Sequence, residues 1–273
     1  MLTLFKLFVE AIQYAHSDKN SSWSIFRTLI SLYVRSKFSN KKTDLVQHKI
    51  GSYTFYSYTY PVFIELYREI FLKEVYKTEL NFHTPFIIDC GANIGFSVLY
   101  FKQQYPNAEI WAFEPNPHSF SLLEKNIREN NLQHVRLFNC AVSNVEGLTT
   151  FYAPQNKSSL NGSSAQTNLA SDKITVQSKK LSKMLTDRKV DLIKIDIEGD
   201  ETKVIQELDE ANLLTVVEEF IIEYHYDTLT ENANKVFFDF LKRFENNGFT
   251  YTLHSVEDAG AGKENRMIGF KCS

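Results

Sequence analysis

Acidic residues stand at the ends of four predicted strands, and these side chains have the clearest potential for chemistry. They are Asp89, Glu114, Asp196 and Glu223. The carboxyl ends of parallel strands meet at one edge of a sheet, which is where such sheets bind ligands. Carboxylates gathered there repel one another unless a positively charged ligand offsets the repulsion. The pattern therefore predicts a site that binds hydroxyl groups and positive charge.

The first of these strands, residues 86–90, leads into a glycine turn. Gly91 and Gly95 are separated by three residues, with Asn93 in the middle. A dinucleotide-binding turn has a further glycine that lets the backbone approach a pyrophosphate, and that glycine is missing here. A phosphate-binding loop with its Gly-Lys-Ser/Thr ending is also absent from the sequence. The turn therefore favours a nucleoside ligand without phosphate groups.

S-adenosylmethionine is the common cofactor of this kind, and its sulfonium and ammonium groups suit an acidic site. An acidic residue at the end of the second strand is placed to bind ribose hydroxyls, which assigns that role to Glu114. Ala141 ends the third strand, where backbone groups can contact a base. The predicted cofactor-binding residues are Asp89, Gly91, Asn93, Gly95, Glu114, Pro115, Asn116, Ala141 and Asp196.

Three residues near the fourth and fifth strand ends are candidates for catalysis: Lys194, Asp196 and His225. Lys194 lies in an apolar strand, so it either pairs with a carboxylate such as Asp196 or Glu223, or serves the reaction. His225 is a candidate general base because its ordinary pKa lies near neutral pH, but a solvent-facing loop histidine is the alternative. Asp196 could act as the base, hold a metal or bind the cofactor's ammonium group. No metal-ligand spacing is evident, so no metal is predicted.

Strands and helices alternate from residue 81 to the C-terminus, which predicts a mainly parallel sheet with helices on both faces. Residues 147–153 and 173–177 predict a hairpin around a polar, mobile loop at 155–172. A helix is predicted near 179–188. Residues 81–273 are therefore assigned to one ligand-binding domain.

Residues 1–80 lack this alternation and are predicted to form a mainly helical lobe. A short strand pair is predicted at 50–60, where Tyr, Thr and Phe are frequent, and Pro61 is predicted to open a helix. The lobe either packs against the main domain or a second copy of the chain, or it covers the cofactor or binds the substrate. A homodimer through this lobe is one expectation.

Composition narrows the possible partners and the location of the chain. The formal net charge is −3, and no basic tract favours nucleic acid. No apolar stretch is long enough for a membrane span. The three cysteines, Cys90, Cys140 and Cys272, have no metal-binding spacing and are predicted to be reduced, as in a cytoplasmic protein.

Five segments of the chain resemble the FkbM family of S-adenosylmethionine-dependent methyltransferases. They are residues 88–95, 112–117, 141–144, 191–201 and 222–225. The run Lys194-Ile195-Asp196-Ile197-Glu198-Gly199 is the most specific of them, whereas many methyltransferases share the glycine turn. Asp200 departs from the family pattern, which usually has a small residue there.

The resemblance implies a Rossmann-like class I methyltransferase fold with seven strands, of which the last, at 266–271, is antiparallel. It also implies O-methylation of a hydroxyl on a sugar, glycan or polyketide-like metabolite. Two other functions remain open at this point. One is N-methylation of protein or RNA, and the other is a non-catalytic nucleoside-binding module of the same fold.

Overall fold

The computed structural model describes residues 9, 12–14, 19–38, 45–80, 83–154, 171–185, 188–227, 231–260 and 263–272. Most of the first 18 residues of the predicted helical lobe and nearly all of the predicted loop at 155–172 lie outside these residues.

From residue 19 to residue 66, the described N-terminal region contains a helix, a strand pair and a second helix. They are α1 (Lys19–Phe38), β1 (Val46–Ile50), β2 (Tyr53–Ser57) and α2 (Tyr60–Leu66). The strand pair starts four residues earlier than predicted. Helix α2 begins as predicted beside Pro61, because the Thr59 hydroxyl accepts a hydrogen bond from the Val62 amide at 3.3 Å. A π-helical segment, Tyr67–Leu72, continues it.

Ten further strands and four further helices complete the described chain. The strands are β3 (Phe86–Cys90), β4 (Glu109–Phe113), β5 (Val135–Phe138), β6 (Ala141–Val142), β7 (Gly147–Pro154), β8 (Ser171–Lys179), β9 (Val190–Ile195), β10 (Val217–Asp227), β11 (Phe249–Gly260) and β12 (Lys263–Cys272). The helices are α3 (Phe96–Gln104), α4 (Pro117–Glu129), α5 (Glu201–Glu210) and α6 (Ala233–Asn246).

Seven of these strands form one sheet in the order β11-β12-β10-β9-β3-β4-β5. Strand β12 is antiparallel to both of its neighbours, whereas β10, β9, β3, β4 and β5 pair in parallel. The predicted seven-stranded class I methyltransferase fold, with its antiparallel last strand, is confirmed. The carboxyl ends of β3, β4, β9 and β10 consequently lie along one edge.

Helices cover both faces of this sheet, because strands buried on both sides present apolar residues to each face. On one face, Ile87 of β3 and Leu192 of β9 share a core with α3 and α4. On the other face, Ile88 and Ile193 share a core with α5 and α6. The N-terminal elements join the first of these cores, where Phe55 and Phe63 contact Phe96 edge to face. The division at residue 80 stays a prediction.

The hairpin of β7 and β8 is antiparallel and forms a small separate sheet with β6. The prediction of a helix near 179–188 is wrong. In the part of this segment that the structure describes, β8 continues to Lys179, and a 3-10 turn, Leu181–Lys183, follows it. Lys179 and Ser178 pair with β6, which draws this segment into the small sheet. Cys90 and Cys140 are buried and unpaired. No described helix has the length and apolar character required to span a membrane.

Candidate active site

The glycine turn after β3 lies directly against the end of β9. Gly91 has a φ of +85°, and its amide donates a hydrogen bond to the Phe113 carbonyl at 3.0 Å. A Cβ atom at Gly91 would lie 1.8 Å from the Asp196 carbonyl oxygen. Glycine is therefore required by close backbone approach as well as by its left-handed conformation. Gly95, at a φ of +89°, instead makes room for Leu123 of α4.

Glu114 is held by backbone amides on both carboxylate oxygens. Oε2 accepts a hydrogen bond from the Asn93 amide at 2.9 Å, and Oε1 accepts one from the Asn116 amide at 2.8 Å. Asn116 also caps α4, since its side chain accepts from the His118 amide at 3.0 Å. Burial raises the pKa of Glu114 to about 7, although both amide hydrogen bonds act to lower it. The carboxylate is thus oriented in advance.

A pocket of about 660 Å³ opens beside this carboxylate. It is lined by Gly91, Asn93, Phe113, Glu114, Pro115, Asn116, Cys140, Ala141, Val142, Phe151, Asp196, Ile197, Glu198 and Asp200. All the residues predicted to bind a cofactor line it except Asp89 and Gly95. The described lining contains four carboxylates and no lysine or arginine, which suits a cationic nucleoside and opposes a pyrophosphate.

Asp89 lies inside the protein rather than in the pocket lining. It is fully buried, and its carboxylate accepts a hydrogen bond from the Ser97 hydroxyl at 2.5 Å. Its other oxygen lies 3.2 Å from Nζ of Lys194, its neighbour in the β3–β9 register. The structure therefore places Asp89 in the support of the turn.

Lys194 is 1% exposed and bridges the turn and the end of β9. Its Nζ donates to the Gly91 carbonyl at 2.7 Å and lies 3.4 Å from Oδ2 of Asp196. Burial by itself lowers the pKa of Lys194, but Asp89 and Asp196 raise it above its ordinary value. Pairing with carboxylates, one of the two predicted roles, is what the structure shows. It leaves Lys194 charged.

A second, larger cavity of about 1620 Å³ adjoins the first pocket. The two share four lining residues: Gly91, Asn93, Asp196 and Glu198. The N-terminal region forms the opposite wall with Glu69 and Tyr76, among others, and the Tyr76 hydroxyl donates to Oδ2 of Asp196 at 3.1 Å. Ligands in the two spaces would therefore meet at Asp196 and Glu198.

His225 lies among carboxylates, two of which, Glu198 and Glu223, line the larger cavity. Its Nδ1 is 2.9 Å from Oε1 of Glu201, and its Nε2 is 3.3 Å from Oε2 of Glu198 and 4.0 Å from Oε1 of Glu223. Burial acts to lower the pKa of His225, but Glu201 and Glu198 hold it well above its ordinary value. Burial and the neighbouring Asp196 raise the pKa of Glu223 to about 8. Burial likewise raises the pKa of Glu198 to about 7.

A match to the methyltransferase FkbM domain covers residues 89–251, more than half of the chain. The chain belongs to the FkbM methyltransferase family. Its cofactor is S-adenosylmethionine.

The chain is similar to methyltransferases of several organisms. "Methyltransferase sdnD" of Sordaria araneosa is 32% identical over 54% of this chain and 69% of its own. "2-O-methyltransferase NoeI" of Sinorhizobium fredii is 30% identical over 44% of this chain and 56% of its own. Among solved structures, M. jannaschii TYW2 in complex with AdoMet is 15% identical, with a TM-score of 0.45 over 85% of this chain and 88% of its own.

Several site residues of this FkbM methyltransferase had no signal in the sequence. Phe151 reaches the smaller pocket from the β7–β8 hairpin, and Glu69 and Tyr76 reach the cavity from the N-terminal region. Asp200, the departure from the family pattern, lines the pocket and accepts a hydrogen bond from the Ser143 hydroxyl at 2.8 Å. Asp200 therefore had a signal in the sequence, whereas only packing between distant segments identifies Phe151, Glu69 and Tyr76.

Proposed function

We propose that this chain methylates a hydroxyl group of a sugar, glycan or polyketide-like small molecule. The observation that carries the proposal is the shared wall of the two spaces, where Asp196 and Glu198 face both the cofactor pocket and the larger cavity. A cofactor in one space and an acceptor in the other would place methyl group and oxygen next to these carboxylates. The relative named 2-O-methyltransferase supports a hydroxyl acceptor.

The cavity itself fits a polar, uncharged or cationic acceptor. Its described lining holds six carboxylates but only three cationic side chains, Arg68, Lys73 and Lys194. Carboxylates accept hydrogen bonds from hydroxyl groups, whereas a phosphate-rich partner such as RNA would be repelled. This charge balance favours a small hydroxylated acceptor over a nucleic acid.

Residues of the smaller pocket would hold the cofactor in three places. Glu114 would bind the ribose hydroxyls, the segment Cys140–Val142 would contact the base, and Asp196 and Glu198 would face the positive groups. When bound, S-adenosylmethionine supplies a methyl group on a positively charged sulfur. The chain's part is to align the acceptor oxygen with that methyl carbon and to exclude water.

The acceptor hydroxyl must lose its proton as its oxygen bonds to the methyl carbon and the carbon–sulfur bond breaks, with the electron pair left on sulfur. Asp196 and His225 were the two predicted proton acceptors. Asp196 is the better candidate because, although burial acts to lower the pKa of the His225 imidazole, Glu201 and Glu198 raise it well above its ordinary value. Lys194 and Tyr76 would position the Asp196 carboxylate through its Oδ2 atom.

The test of this function is a screen with methyl-labelled S-adenosylmethionine against monosaccharides, glycans, polyketide-type alcohols and matched amines. We expect label in an ether oxygen of at least one hydroxylated acceptor. Transfer to nitrogen alone would replace the proposal with N-methylation. Tight cofactor binding with no transfer to any acceptor class would favour a non-catalytic module.

Replacing Asp196 with asparagine should lower kcat on such an acceptor by about 100-fold or more, because the proton acceptor is lost. The dissociation constant for S-adenosylmethionine should change much less, since Glu114 and the turn remain. Glu223→Gln is the matched control, because Glu223 lines only the larger cavity. Steady-state rates measure kcat, and calorimetric titration measures the dissociation constant for S-adenosylmethionine. An Asp196→Asn enzyme with normal kcat would exclude Asp196 as the base.

Affinity for S-adenosylmethionine should increase with pH through about 7, the pKa of Glu114. Only the ionised carboxylate accepts hydrogen bonds from both ribose hydroxyls, so protonation at lower pH weakens binding. Between pH 8 and pH 6 we expect the dissociation constant to rise by up to about tenfold.

Glu114→Gln should weaken binding at pH 8 by about 1–3 kcal/mol. It should also reduce the pH dependence to the share of Glu198, which lines the same pocket and whose pKa burial also raises to about 7. Glu69→Gln is the control, because burial also raises the pKa of Glu69 to about 7, yet Glu69 lines only the larger cavity. Calorimetry at several pH values measures the effect. A Glu114→Gln variant that keeps the full pH dependence would place the titrating group elsewhere.

A further inference from the structure

Asp196 and Glu198, which line both spaces, form with the neighbouring His225 the arrangement of a metal site. Asp196 and Glu198 follow β9, and His225 lies on β10. One donor atom from each lies within 4.8 Å of the others. Two carboxylate oxygens and one imidazole nitrogen form a donor set that binds divalent cations such as Mn²⁺.

The imidazole of His225 is oriented as a metal ligand is. Its Nδ1 contacts Glu201, a carboxylate that is 1% exposed and that also accepts a hydrogen bond from the Gly199 amide at 2.9 Å. Histidines that bind metals are usually held in this way by a carboxylate on the other ring nitrogen. Among the described residues, the buried Nε2 atom has no hydrogen-bond partner. Nε2 faces the Glu198 carboxylate at 3.3 Å.

The charge around this nitrogen also favours a cation. Four carboxylates surround the imidazole, namely Asp196, Glu198, Glu201 and Glu223. Lys194 is the nearby buried cation that the structure describes, and it is shared with Asp89. One lysine and one imidazole therefore do not balance the carboxylates of this region.

We propose that Asp196, Glu198 and His225 bind one divalent cation at the boundary between the cofactor pocket and the acceptor cavity. This revises the expectation from sequence spacing that the chain binds no metal. A divalent cation lowers the pKa of a hydroxyl bound to it. Its use in methyl transfer rests on the proposed function, whereas its binding does not.

The alternative is a metal-free ion-pair network in which a protonated His225 partly neutralises Glu198 and Glu201. The two arrangements predict opposite results for His225→Gln. In a metal site this change removes a ligand and weakens cation binding. In an ion-pair network it removes a positive charge, so any loosely held cation binds as well as before or more tightly.

The experiment titrates the full, chelator-treated chain with Mn²⁺ and follows free Mn²⁺ by electron paramagnetic resonance. We expect one saturable site in the unsubstituted protein. His225→Gln and Asp196→Asn should each weaken Mn²⁺ binding by at least about 10–100-fold. That is the usual cost of losing a carboxylate that only orients a metal ligand, and losing a ligand should cost no less. Glu69→Gln removes a cavity carboxylate outside the three ligands and should change the affinity by no more than about threefold. Circular dichroism and thermal unfolding establish that each variant is folded.

Absence of saturable Mn²⁺ binding, or equal or tighter binding by His225→Gln, would overturn the site. Methyl transfer measured on the same samples separates this inference from the proposed function. If chelator-treated protein binds no Mn²⁺ and still transfers methyl groups at an undiminished rate, the metal site is excluded and the proposed function stands. Saturable binding at the three ligands without transfer to any hydroxyl would keep the metal and reject the function.

Discussion

Lys194→Met is expected to lower the free energy of unfolding by about 3–5 kcal/mol, the usual cost of leaving one partner of a buried ion pair uncompensated. Asp89 is fully buried and lies 3.2 Å from the lysine nitrogen. Without Lys194, the Asp89 carboxylate keeps only the Ser97 hydroxyl as a side-chain hydrogen-bond partner among the described residues. Denaturant unfolding measures the change directly.

A second variant separates the lost charge pair from the lost packing. Asp89→Asn combined with Lys194→Met removes both charges and should recover a large part of the stability lost by Lys194→Met alone. A double variant as unstable as Lys194→Met would show that the hydrogen bond to Gly91, or the shape of the lysine side chain, carries the effect. A single variant within about 1 kcal/mol of the unsubstituted protein would contradict the ion-pair argument.

Gly91→Ala should be comparably destabilising, by about 3–5 kcal/mol, for two reasons that act together. The residue has a φ of +85°, which a side chain strains. Its Cβ would also lie 1.8 Å from the carbonyl oxygen of Asp196, so the backbone at the end of β9 must move. The same movement should weaken binding of S-adenosylmethionine. Thermal or denaturant unfolding and calorimetric titration measure the two effects.

Gly147→Ala is the matched control for this substitution. Gly147 has a similar φ of +101°, but a Cβ there would meet no atom within 4 Å. It should therefore show the conformational strain alone, about 1–2 kcal/mol, with unchanged cofactor affinity. Equal losses in the two variants would mean that conformation, rather than contact with Asp196, accounts for the requirement for glycine at position 91.

These two predictions concern one structural unit that joins the two halves of the site. The Gly91 carbonyl accepts from Lys194, Lys194 contacts Asp89 and Asp196, and Asp196 accepts from Tyr76 of the N-terminal region. The smaller pocket and the larger cavity therefore share their support, which couples binding in the smaller pocket to the position of the Asp196 carboxylate.

Local sequence patterns were sufficient for most of the central fold. The apolar run at 86–90 and Pro61 at the start of α2 predicted their elements correctly, because burial and helix initiation depend on neighbouring residues. The helix predicted near 179–188 was wrong at its start because pairing with β6 extends β8 to Lys179, and a 3-10 turn follows at Leu181–Lys183. Pairing partners that are distant in sequence cannot be read from a local pattern.

The sequence by itself determined the class I fold, the family and the set of carboxylates at the strand ends, since each depends on short motifs and on the rule that parallel strands share one ligand-binding edge. Tertiary structure alone decided which groups touch. It paired Lys194 with Asp89, moved Asp89 out of the pocket lining, and brought Tyr76 to Asp196. It also placed His225 beside Asp196 and Glu198. Such contacts follow from the packing of segments far apart in the chain, where side-chain direction and burial, rather than spacing, determine the chemistry.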